Sequence, residues 1–224
     1  FAPGSLLSVA YFRKDIGTYI QSISSLIPFN QLGLPESLLG TSQTAPTELF
    51  TINRATNTPG GKLEGIELNA QAPLRFLPGI LSNFGVLGSV TLVSSKINYI
   101  LQSNNGVPTL STTDDLIGLS RNSVSGTLYY EDKKFSARVT GNYRSRYINA
   151  IPSGALDSDY IANAPSFYVD AQASYQLTPR FRLVAEAQNP TKEDSRQYID
   201  SVRRDSLFAL QNGRTFTIGA DFKY

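Results

Sequence analysis

The chain has 224 residues, of which 41% are hydrophobic, and its 20 basic and 18 acidic side chains give a net charge of +2. It contains neither cysteine nor histidine, which excludes disulfides, thiolate metal sites, Ser/His/Asp catalysis and zinc chemistry. No segment is strongly basic, so nucleic-acid binding has no electrostatic signature here, and no apolar run is long enough to form a transmembrane helix.

The first predicted strand covers roughly residues 5–20. Successive side chains of a strand point to opposite faces, and here both faces are partly apolar. One face carries Leu7, Val9 and Tyr11, and the other carries Leu6, Ala10 and Phe12. The pattern therefore leaves open which face of this strand lies on the apolar side of the sheet.

The later predicted strands alternate apolar and polar residues with a period of two, which is typical of a sheet with one apolar face. Most span about 9–13 residues, which suits a tilted membrane-crossing strand better than a strand of a soluble sheet. Their apolar faces are, in chain order, Ile66, Leu68, Ala70 and Ala72; Phe84, Val86, Val90 and Leu92; Val124, Leu128 and Tyr130; Phe135, Ala137, Val139 and Tyr143; Phe167, Val169, Ala171, Ala173, Tyr175 and Leu177; Phe181, Leu183, Ala185 and Ala187; and Phe216, Ile218, Ala220, Phe222 and Tyr224.

The connections between these strands alternate in length. The short ones cover residues 73–83, 131–134 and 177–180, and the long ones, which show no obvious secondary structure, cover residues 22–47, 101–118, 149–165 and 190–212. Short turns at one end and long loops at the other are typical of outer-membrane barrels. We therefore predict an all-β fold, an antiparallel transmembrane β-barrel of which about eight strands are present.

A soluble antiparallel sandwich is the alternative, because its strands also alternate. The chain has no tryptophan, although tryptophan and tyrosine usually form the aromatic girdles at membrane interfaces. Its 12 tyrosines and 12 phenylalanines are sufficient to form such girdles instead. The loop asymmetry favours the barrel.

Several motifs occur in the order in which one family has them. They are residues 57–68, ending in Gly-Ile-Glu-Leu; 128–132, Leu-Tyr-Tyr-Glu-Asp; 135–139, Phe-Ser-Ala-Arg-Val; 142–145, Asn-Tyr-Arg-Ser; 169–175, Val-Asp-Ala-Gln-Ala-Ser-Tyr; 186–191, Glu-Ala-Gln-Asn-Pro-Thr; and the final strand, 214–224. Together they resemble the C-terminal part of TonB-dependent receptors. The departures are Pro190, where the family usually has leucine, and Tyr224, where it usually has phenylalanine.

The resemblance implies that residues 1–224 are the C-terminal part of a plugged barrel of about 22 strands, and that the plug domain is absent from this chain. It implies uptake of a scarce nutrient, such as a siderophore, a glycan or cobalamin, across the Gram-negative outer membrane. The implied partners are the TonB complex, reached through the plug, a small-molecule ligand, outer-membrane lipid and lipopolysaccharide, and the barrel assembly machinery. Because histidine is absent and no carboxylate pair is singled out by its spacing, an enzymatic activity has little support, and we expect no cofactor and no bound metal.

Basic and aromatic residues near the end of the 135–144 strand are candidates for guiding a ligand. Arg138, Arg144 and Arg146 lie on or just beyond the polar face, and Tyr147 follows them. Such a ladder would attract anionic ligands. The competing interpretation, which we favour, pairs the arginines with acids of the barrel lumen. Those acids are Glu131, Asp170, Glu186 and Asp221.

Two long connections carry further candidates. Asp157, Asp159 and Tyr160 have the composition of a calcium or sugar site, but a loop aspartate pair is more often solvated surface, and the spacing of a calcium-binding loop is absent. Arg203 and Arg204 precede the last strand and are candidates for contacting ligand or lipopolysaccharide phosphates, with a solvated loop tip as the alternative. The Gly60-Gly61-Lys62 segment lacks the spacing of a phosphate-binding loop.

The last strand is a candidate assembly signal. By the family resemblance, the outer-membrane assembly machinery would recognise its alternating apolar residues, which are Phe216, Ile218, Phe222 and Tyr224. A complete eight-stranded barrel with a structural or adhesive role remains the alternative to a transporter wall. A barrel of that size is filled by its own side chains.

Overall fold

The computed structural model describes residues 3–40, 44–104, 107–151 and 159–223, and its regular structure consists of antiparallel β-strands with three short 3-10 helices. The strands are β1 (Leu6–Pro28), β2 (Leu49–Pro73), β3 (Phe84–Asn104), β4 (Val107–Asp114), β5 (Asn122–Glu131), β6 (Phe135–Arg144), β7 (Tyr147–Ala150), β8 (Ile161–Asn163), β9 (Ser166–Thr178), β10 (Phe181–Gln188), β11 (Ser195–Ile199), β12 (Asp205–Leu210) and β13 (Thr215–Phe222). The 3-10 helices are Phe29–Gln31, Glu36–Leu39 and Gly79–Asn83.

Eight of the strands form one continuous wall, in the order β1-β2-β3-β5-β6-β9-β10-β13. This confirms the predicted all-β antiparallel class and the number of strands. The predicted strand lengths are wrong for the first three, which have 23, 25 and 21 residues. These three strands extend beyond the wall on the side of the long connections.

The long connections are also more regular than the sequence indicated. The sheet β12-β11-β8-β7 is built from two of them, and β4 pairs with the extension of β3. The prediction that these loops lack secondary structure is therefore wrong. These strands are short, with only three residues in β8, and a period of two cannot be recognised over so few positions.

The register of the wall brings the apolar residues of neighbouring strands onto one face. Val9, Leu68, Val90, Val124, Tyr143 and Phe167 are successive cross-strand partners from β1 to β9. The adjacent row on the other face is Ser8, Asn69, Ser89, Ser125, Asn142 and Tyr168. The structure thereby assigns Leu7, Val9 and Tyr11 of β1 to the apolar face, which the sequence left open.

The apolar face, which we call the outer face, ends at rows of charged residues. The last largely apolar row on the first three strands is Tyr11, Ile66 and Leu92, and the next two rows are Arg13, Glu64 and Ser94, then Asp15, Lys62 and Lys96. A two-residue step along each strand thus changes the surface from apolar to charged. This boundary fits the edge of a hydrocarbon layer.

The apolar side chains of the wall are exposed rather than packed in a core. Ile218 is 85% exposed and Phe216 is 68% exposed. The total accessible surface is 14821 Å², whereas a compact soluble protein of this mass has about 10,000 Å². Among the described residues, the buried apolar side chains lie in the long connections and the strand extensions that lead into them: Ile23, Phe29, Ile97, Tyr99, Ile148, Tyr160 and Ala162.

The turn between β5 and β6 is closed by one aspartate. The amide groups of Lys134 and Phe135 each donate to Asp132 Oδ1 at 2.8 Å, and the Tyr130 hydroxyl donates to its Oδ2 at 2.8 Å. These donors, the Lys134 amide first, hold the pKa of Asp132 below its ordinary value. The turn is therefore stabilised at neutral pH, and the stabilisation is lost as the pH falls through the lowered pKa.

Two adjacent glycines lie at the point where β2, which pairs with β1 along its length, begins to pair with β3 as well. A Cβ at Gly60 would overlap the Ile16 carbonyl of β1, and a Cβ at Gly61 would overlap the Lys96 carbonyl of β3. Gly61 is also the first β2 residue, in chain order, that pairs with β3. Within the described ranges, no helix is both long and apolar enough to cross a membrane.

Exchanging one residue on each face of β6 tests which face contacts lipid. We expect Val139→Arg to destabilise the folded barrel by about 2–4 kcal/mol, because it places a charge at the middle of the apolar band. The adjacent Thr140→Arg, on the polar face, should cost less than about 1 kcal/mol. Urea unfolding in lipid vesicles measures both values, and equal costs would contradict the assignment of the faces.

The glycine pair provides a test of the register. We expect Gly61→Ala to cost about 3 kcal/mol or more, since its methyl group would overlap a backbone carbonyl that side-chain rotation cannot move. Gly126→Ala is the matched control, because a Cβ there meets nothing within 4 Å. The amount of protease-resistant protein in the outer membrane should fall for the first variant only. Similar levels for both variants would refute the close approach at Gly61.

Candidate ligand-binding site

Three of the long connections pack together at one end of the wall and form a structured region, which we call the vestibule. Its core consists of Ile148, Tyr160 and Ala162, with Ile117 and Tyr198 packed against them. The rings of Tyr160 and Tyr198 meet edge to face, with their centroids 6.4 Å apart. Burial is the main reason why the pKa of Tyr160 lies above its ordinary value.

An ion pair anchors the connection between β4 and β5. Arg121 donates two hydrogen bonds to Asp115, from Nε at 2.8 Å and from Nη2 at 3.0 Å. The Asp115 side chain is 8% exposed and that of Arg121 61% exposed. The buried Tyr99 hydroxyl donates to the Asp115 carbonyl at 2.9 Å and accepts from the Ile117 amide at 3.0 Å. The start of the connection is therefore fixed to β3.

Arg138 lies on the polar inner face of β6, where its cross-strand partners are Tyr129 and Gln172. It forms no ion pair with any described residue. The nearby carboxylate of Glu186 instead accepts a hydrogen bond from Gln172 Nε2 at 2.8 Å. The Arg138 charge thus faces the inner surface without a carboxylate partner among the described residues.

Arg144, Arg146 and Tyr147 lie where the end of β6 meets the vestibule, and both arginines contact residues of the connections. Arg144 donates to Ser120 Oγ at 2.7 Å and to the Gly118 carbonyl at 2.5 Å, and its guanidinium carbon lies 3.8 Å from the centre of the Tyr147 ring. Arg146 donates to the Tyr160 hydroxyl at 3.2 Å. Both arginines therefore hold the connections in place.

The ion pairs that we favoured for these arginines are not present among the described residues. Instead, Arg182 Nε donates to Asp221 Oδ2 at 2.9 Å, and Asp170 Oδ1 accepts from the Asn189 amide at 3.1 Å. Sequence reasoning missed the partners Gly118 and Ser120 because a backbone carbonyl and a serine hydroxyl carry no charge pattern.

Arg203 and Arg204 lie in a turn between β11 and β12, away from the other candidates. Asp200 Oδ1 accepts from the amides of Val202 and Arg203 at 2.8 Å each, which lowers the pKa of Asp200. Arg203 lies within 3.4 Å of Asp200 and of Asp205, whereas Arg204 is exposed in a left-handed conformation, with φ of 54°. The contacts of Arg203 with Asp200 and Asp205 therefore stabilise this turn.

Of the three candidate residues for a calcium or sugar site, the structure describes two, Asp159 and Tyr160. Asp159 Oδ1 accepts from the amides of Tyr160 and Ser201, at 2.9 and 2.8 Å, so this carboxylate ties two connections together. Asp157 lies outside the described residues. Within the described ranges, no group of three or more acidic side chains is placed to hold a metal ion.

The assembly-signal candidates of β13 lie on the outer face and are exposed. Phe216, Ile218 and Phe222 are the cross-strand partners of Ala187, Ala185 and Phe181 of β10, respectively. Tyr224 lies outside the described residues. β13 forms one edge of the wall and β1 forms the other.

A polar pocket that the sequence did not indicate lies between the inner face and the sheet of the vestibule. Its volume is about 330 Å³, and its lining includes Asn142, Asn163, Tyr168, Asp194 and Arg196. Asp194 Oδ1 is buried and accepts no hydrogen bond from any described residue. No spacing signal was available, since these residues come from four separate segments of the chain.

Taken together, the wall with one exposed apolar face, the short turns and the structured vestibule define the class of integral outer-membrane β-barrel proteins. The chain matches the family described as "TonB dependent receptor-like, beta-barrel" over residues 1–189, and it belongs to this family. No curated protein sequence and no solved structure matches it.

Membership of this family places the chain in TonB-dependent transport across the Gram-negative outer membrane. Family members are transporters rather than enzymes, and they act together with TonB and a transported ligand.

A double-mutant cycle tests whether the Asp115–Arg121 pair anchors the vestibule. We expect a coupling energy of about 1.5–3 kcal/mol between Asp115→Ala and Arg121→Ala, because the carboxylate is buried and its two hydrogen bonds are charge-assisted. The exposed pair Arg13–Asp15, at 3.4 Å, is the control, with an expected coupling below about 0.5 kcal/mol. Both coupling energies are measured by unfolding in vesicles. Equal values for the Asp115–Arg121 and Arg13–Asp15 pairs would contradict the anchoring role.

Proposed function

We propose that this chain forms the C-terminal wall and part of the extracellular ligand-binding region of a TonB-dependent transporter that takes up a scarce nutrient. The observation that carries the proposal is the combination of an eight-stranded two-faced wall with a folded vestibule at its long-loop end. A wall alone fits any barrel, whereas folded connections at the end of a polar inner face fit the capture of a ligand before transport. Siderophores, glycans and cobalamin are the candidate ligand classes.

The proposal also requires parts of the transporter other than this chain, namely further barrel strands and a plug domain. Each of β1 and β13 has one side without a partner strand in the described structure, and exposed edges of this kind invite further pairing. We infer that further strands of a barrel of about 22 strands complete the wall, and that a plug domain on the N-terminal side of this chain contacts TonB.

The alternative is a complete small barrel in which β1 pairs with β13. The lengths of the two edges disfavour it, since β1 has 23 residues and β13 has eight. Pairing them would leave most of β1 without a neighbour on that side. Further strands, rather than β13, are therefore the better match for β1.

Three partners follow from the surface of the wall. Lipid would cover the outer face, and lipopolysaccharide would meet the charged rows around Lys62 and Lys96 and the exposed Arg204. The assembly machinery would recognise β13 through Phe216, Ile218, Phe222 and Tyr224.

The ligand-guiding role proposed for Arg138 is supported by its lack of a carboxylate partner among the described residues. For Arg144, Arg146, Tyr147 and Arg203, the contacts in the structure favour a structural role.

Uptake measurements test the transport proposal. In cells that carry the full-length protein, we expect accumulation of one of three labelled probes, namely a ferric siderophore, cobalamin or an oligosaccharide. Accumulation should fall to background when either the receptor or TonB is deleted. Uptake that is unchanged without TonB would refute energised transport.

Engineered disulfides distinguish the large barrel from the small one, because the natural chain has no cysteine. We expect pairs that combine Leu7→Cys, Val9→Cys or Tyr11→Cys with Ile218→Cys or Ala220→Cys to remain reduced under mild oxidation in the membrane. The positive control is Ala185→Cys with Ile218→Cys, which are direct cross-strand partners. Efficient cross-linking between β1 and β13 would establish the small barrel instead.

Truncating the last strand tests the assembly signal. Deleting residues 222–224 should reduce the amount of protein in the outer membrane at least about tenfold, if the apolar end of β13 is what the assembly machinery reads. Replacing Thr217 by Ser, on the polar face of the same strand, is the control and should leave the level unchanged. Normal membrane levels of the truncated protein would exclude this role.

A further inference from the structure

The turn between β2 and β3, residues 74–83, exposes several large apolar side chains. Phe76 is 71% exposed, Ile80 is 67% exposed and Leu81 is 47% exposed. The turn lies at the end of the wall opposite the vestibule, which we call the short-turn end. Single exposed apolar residues are common on protein surfaces, but three of them within six positions of a turn indicate an interaction surface.

The turn is fixed to the wall at both of its ends. The Leu74 amide donates to the Phe84 carbonyl at 2.8 Å, which closes the base of the turn. Its second half is the 3-10 helix Gly79–Asn83, and the last residue of that helix, Asn83, donates from Nδ2 to the Tyr130 hydroxyl of β5 at 3.1 Å. The apolar side chains are therefore presented by an ordered segment.

The turn continues the outer face of the wall. Phe84, which pairs with Tyr130 on that face, also lies opposite Leu74 at the base of the turn. The rings of Phe84 and Tyr130 have centroids 5.0 Å apart, and those of Tyr130 and Phe135 are 5.9 Å apart. Aromatic groups of this kind are typical of the membrane interface, so the turn begins where the apolar band ends.

Unpaired basic residues lie at the same end of the wall. The short turns and the last described residue carry five basic side chains, none of which forms an ion pair with a described residue: Arg75, Lys133, Lys134, Arg180 and Lys223. Of the two acids on these turns, Asp132 closes its own turn. The other, Glu131, follows Tyr130 and so points to the inner face. The short-turn end therefore carries an excess of positive charge.

This combination fits a phospholipid. The short turns of an outer-membrane barrel lie on the periplasmic side, next to the inner leaflet, and lipid is already the neighbour of the outer face that the turn continues. A segment that combines apolar side chains with basic ones binds a membrane surface through burial of the apolar groups and attraction to anionic headgroups. A protein partner would need acidic groups around an apolar centre to match the same surface.

We propose that the β2–β3 turn is a membrane-interface anchor for anionic phospholipids of the inner leaflet. Phe76, Ile80 and Leu81 insert among the headgroups, and Arg75, with the basic residues of the neighbouring β5–β6 turn, binds the phosphates. The inference goes beyond the proposed transport function, because it assigns a lipid-binding role to the periplasmic end of the barrel that is independent of the transported nutrient.

Photo-crosslinking in cells identifies what covers the turn. A benzophenone-bearing analogue of phenylalanine is placed at Phe76 of the full-length protein. The matched control position is Phe208, which is 46% exposed but lies in β12 at the other end of the wall. Mass spectrometry of the labelled peptides should show a phospholipid adduct at residue 76 and none at residue 208. Cross-linking of residue 76 to the plug or to another protein, without a phospholipid adduct, would overturn the proposal.

Binding of fluorescent phosphatidylglycerol to the purified full-length protein, in an excess of zwitterionic phosphatidylcholine, tests the role of the charges. Arg75→Gln and Lys133→Gln should each weaken this binding about fivefold, since each basic residue near an anionic surface contributes about 1 kcal/mol. The matched control is Lys192→Gln, also exposed but in the connection after β10, which should bind as the wild type does. Unchanged affinity of the Arg75→Gln, Lys133→Gln double variant would refute the phosphate contacts.

Both experiments are independent of transport. Neither the adduct at residue 76 nor the preference for phosphatidylglycerol requires TonB or a nutrient, so a failure of TonB-dependent uptake would leave the anchor intact. Conversely, normal uptake by a protein that shows no phospholipid adduct at residue 76 would support transport and refute the anchor.

Discussion

The register of the backbone hydrogen bonds between the eight wall strands is the constraint on which the rest of the structure depends. Side chains alternate between the faces of a strand, so a slip of one residue would move every apolar residue of that strand to the polar face. From Leu6–Gln71 to Pro28–Leu49, β1 and β2 keep one register, and the apolar rows continue through β13. The outer face is apolar only because all these registers agree.

This constraint also explains where the protein is packed. The wall needs no core of its own, since its apolar side chains face outward and lipid replaces the interior of a soluble protein. The buried apolar side chains that the structure describes are instead found in the connections and strand extensions of the long-loop end. The vestibule is therefore a small folded unit on top of a wall, and it can hold polar side chains in fixed positions.

How much of this was predictable from the sequence depends on the length of each pattern. Strands such as β6 and β9 alternate over ten or more residues, and their faces were predicted correctly. The face of β1 was not, because Leu6 and Phe12 interrupt the alternation and only the pairing with β2 decides it. The short strands β7 and β8 offer too few positions for any period. The partners of Arg144 and the convergence of Asn142, Asn163 and Asp194 depend on tertiary contacts between distant segments, which no local pattern encodes.

The central claim is that the outer face of the wall contacts lipid, and tryptophan fluorescence tests it most directly because the natural chain has no tryptophan. Single tryptophans at Leu68 and Asn69, adjacent residues of β2 on opposite faces, would be placed in vesicles that contain brominated lipids, which quench fluorescence on contact. The register predicts strong quenching for Leu68→Trp and little for Asn69→Trp. Equal quenching at both positions, or stronger quenching at Asn69, would contradict it.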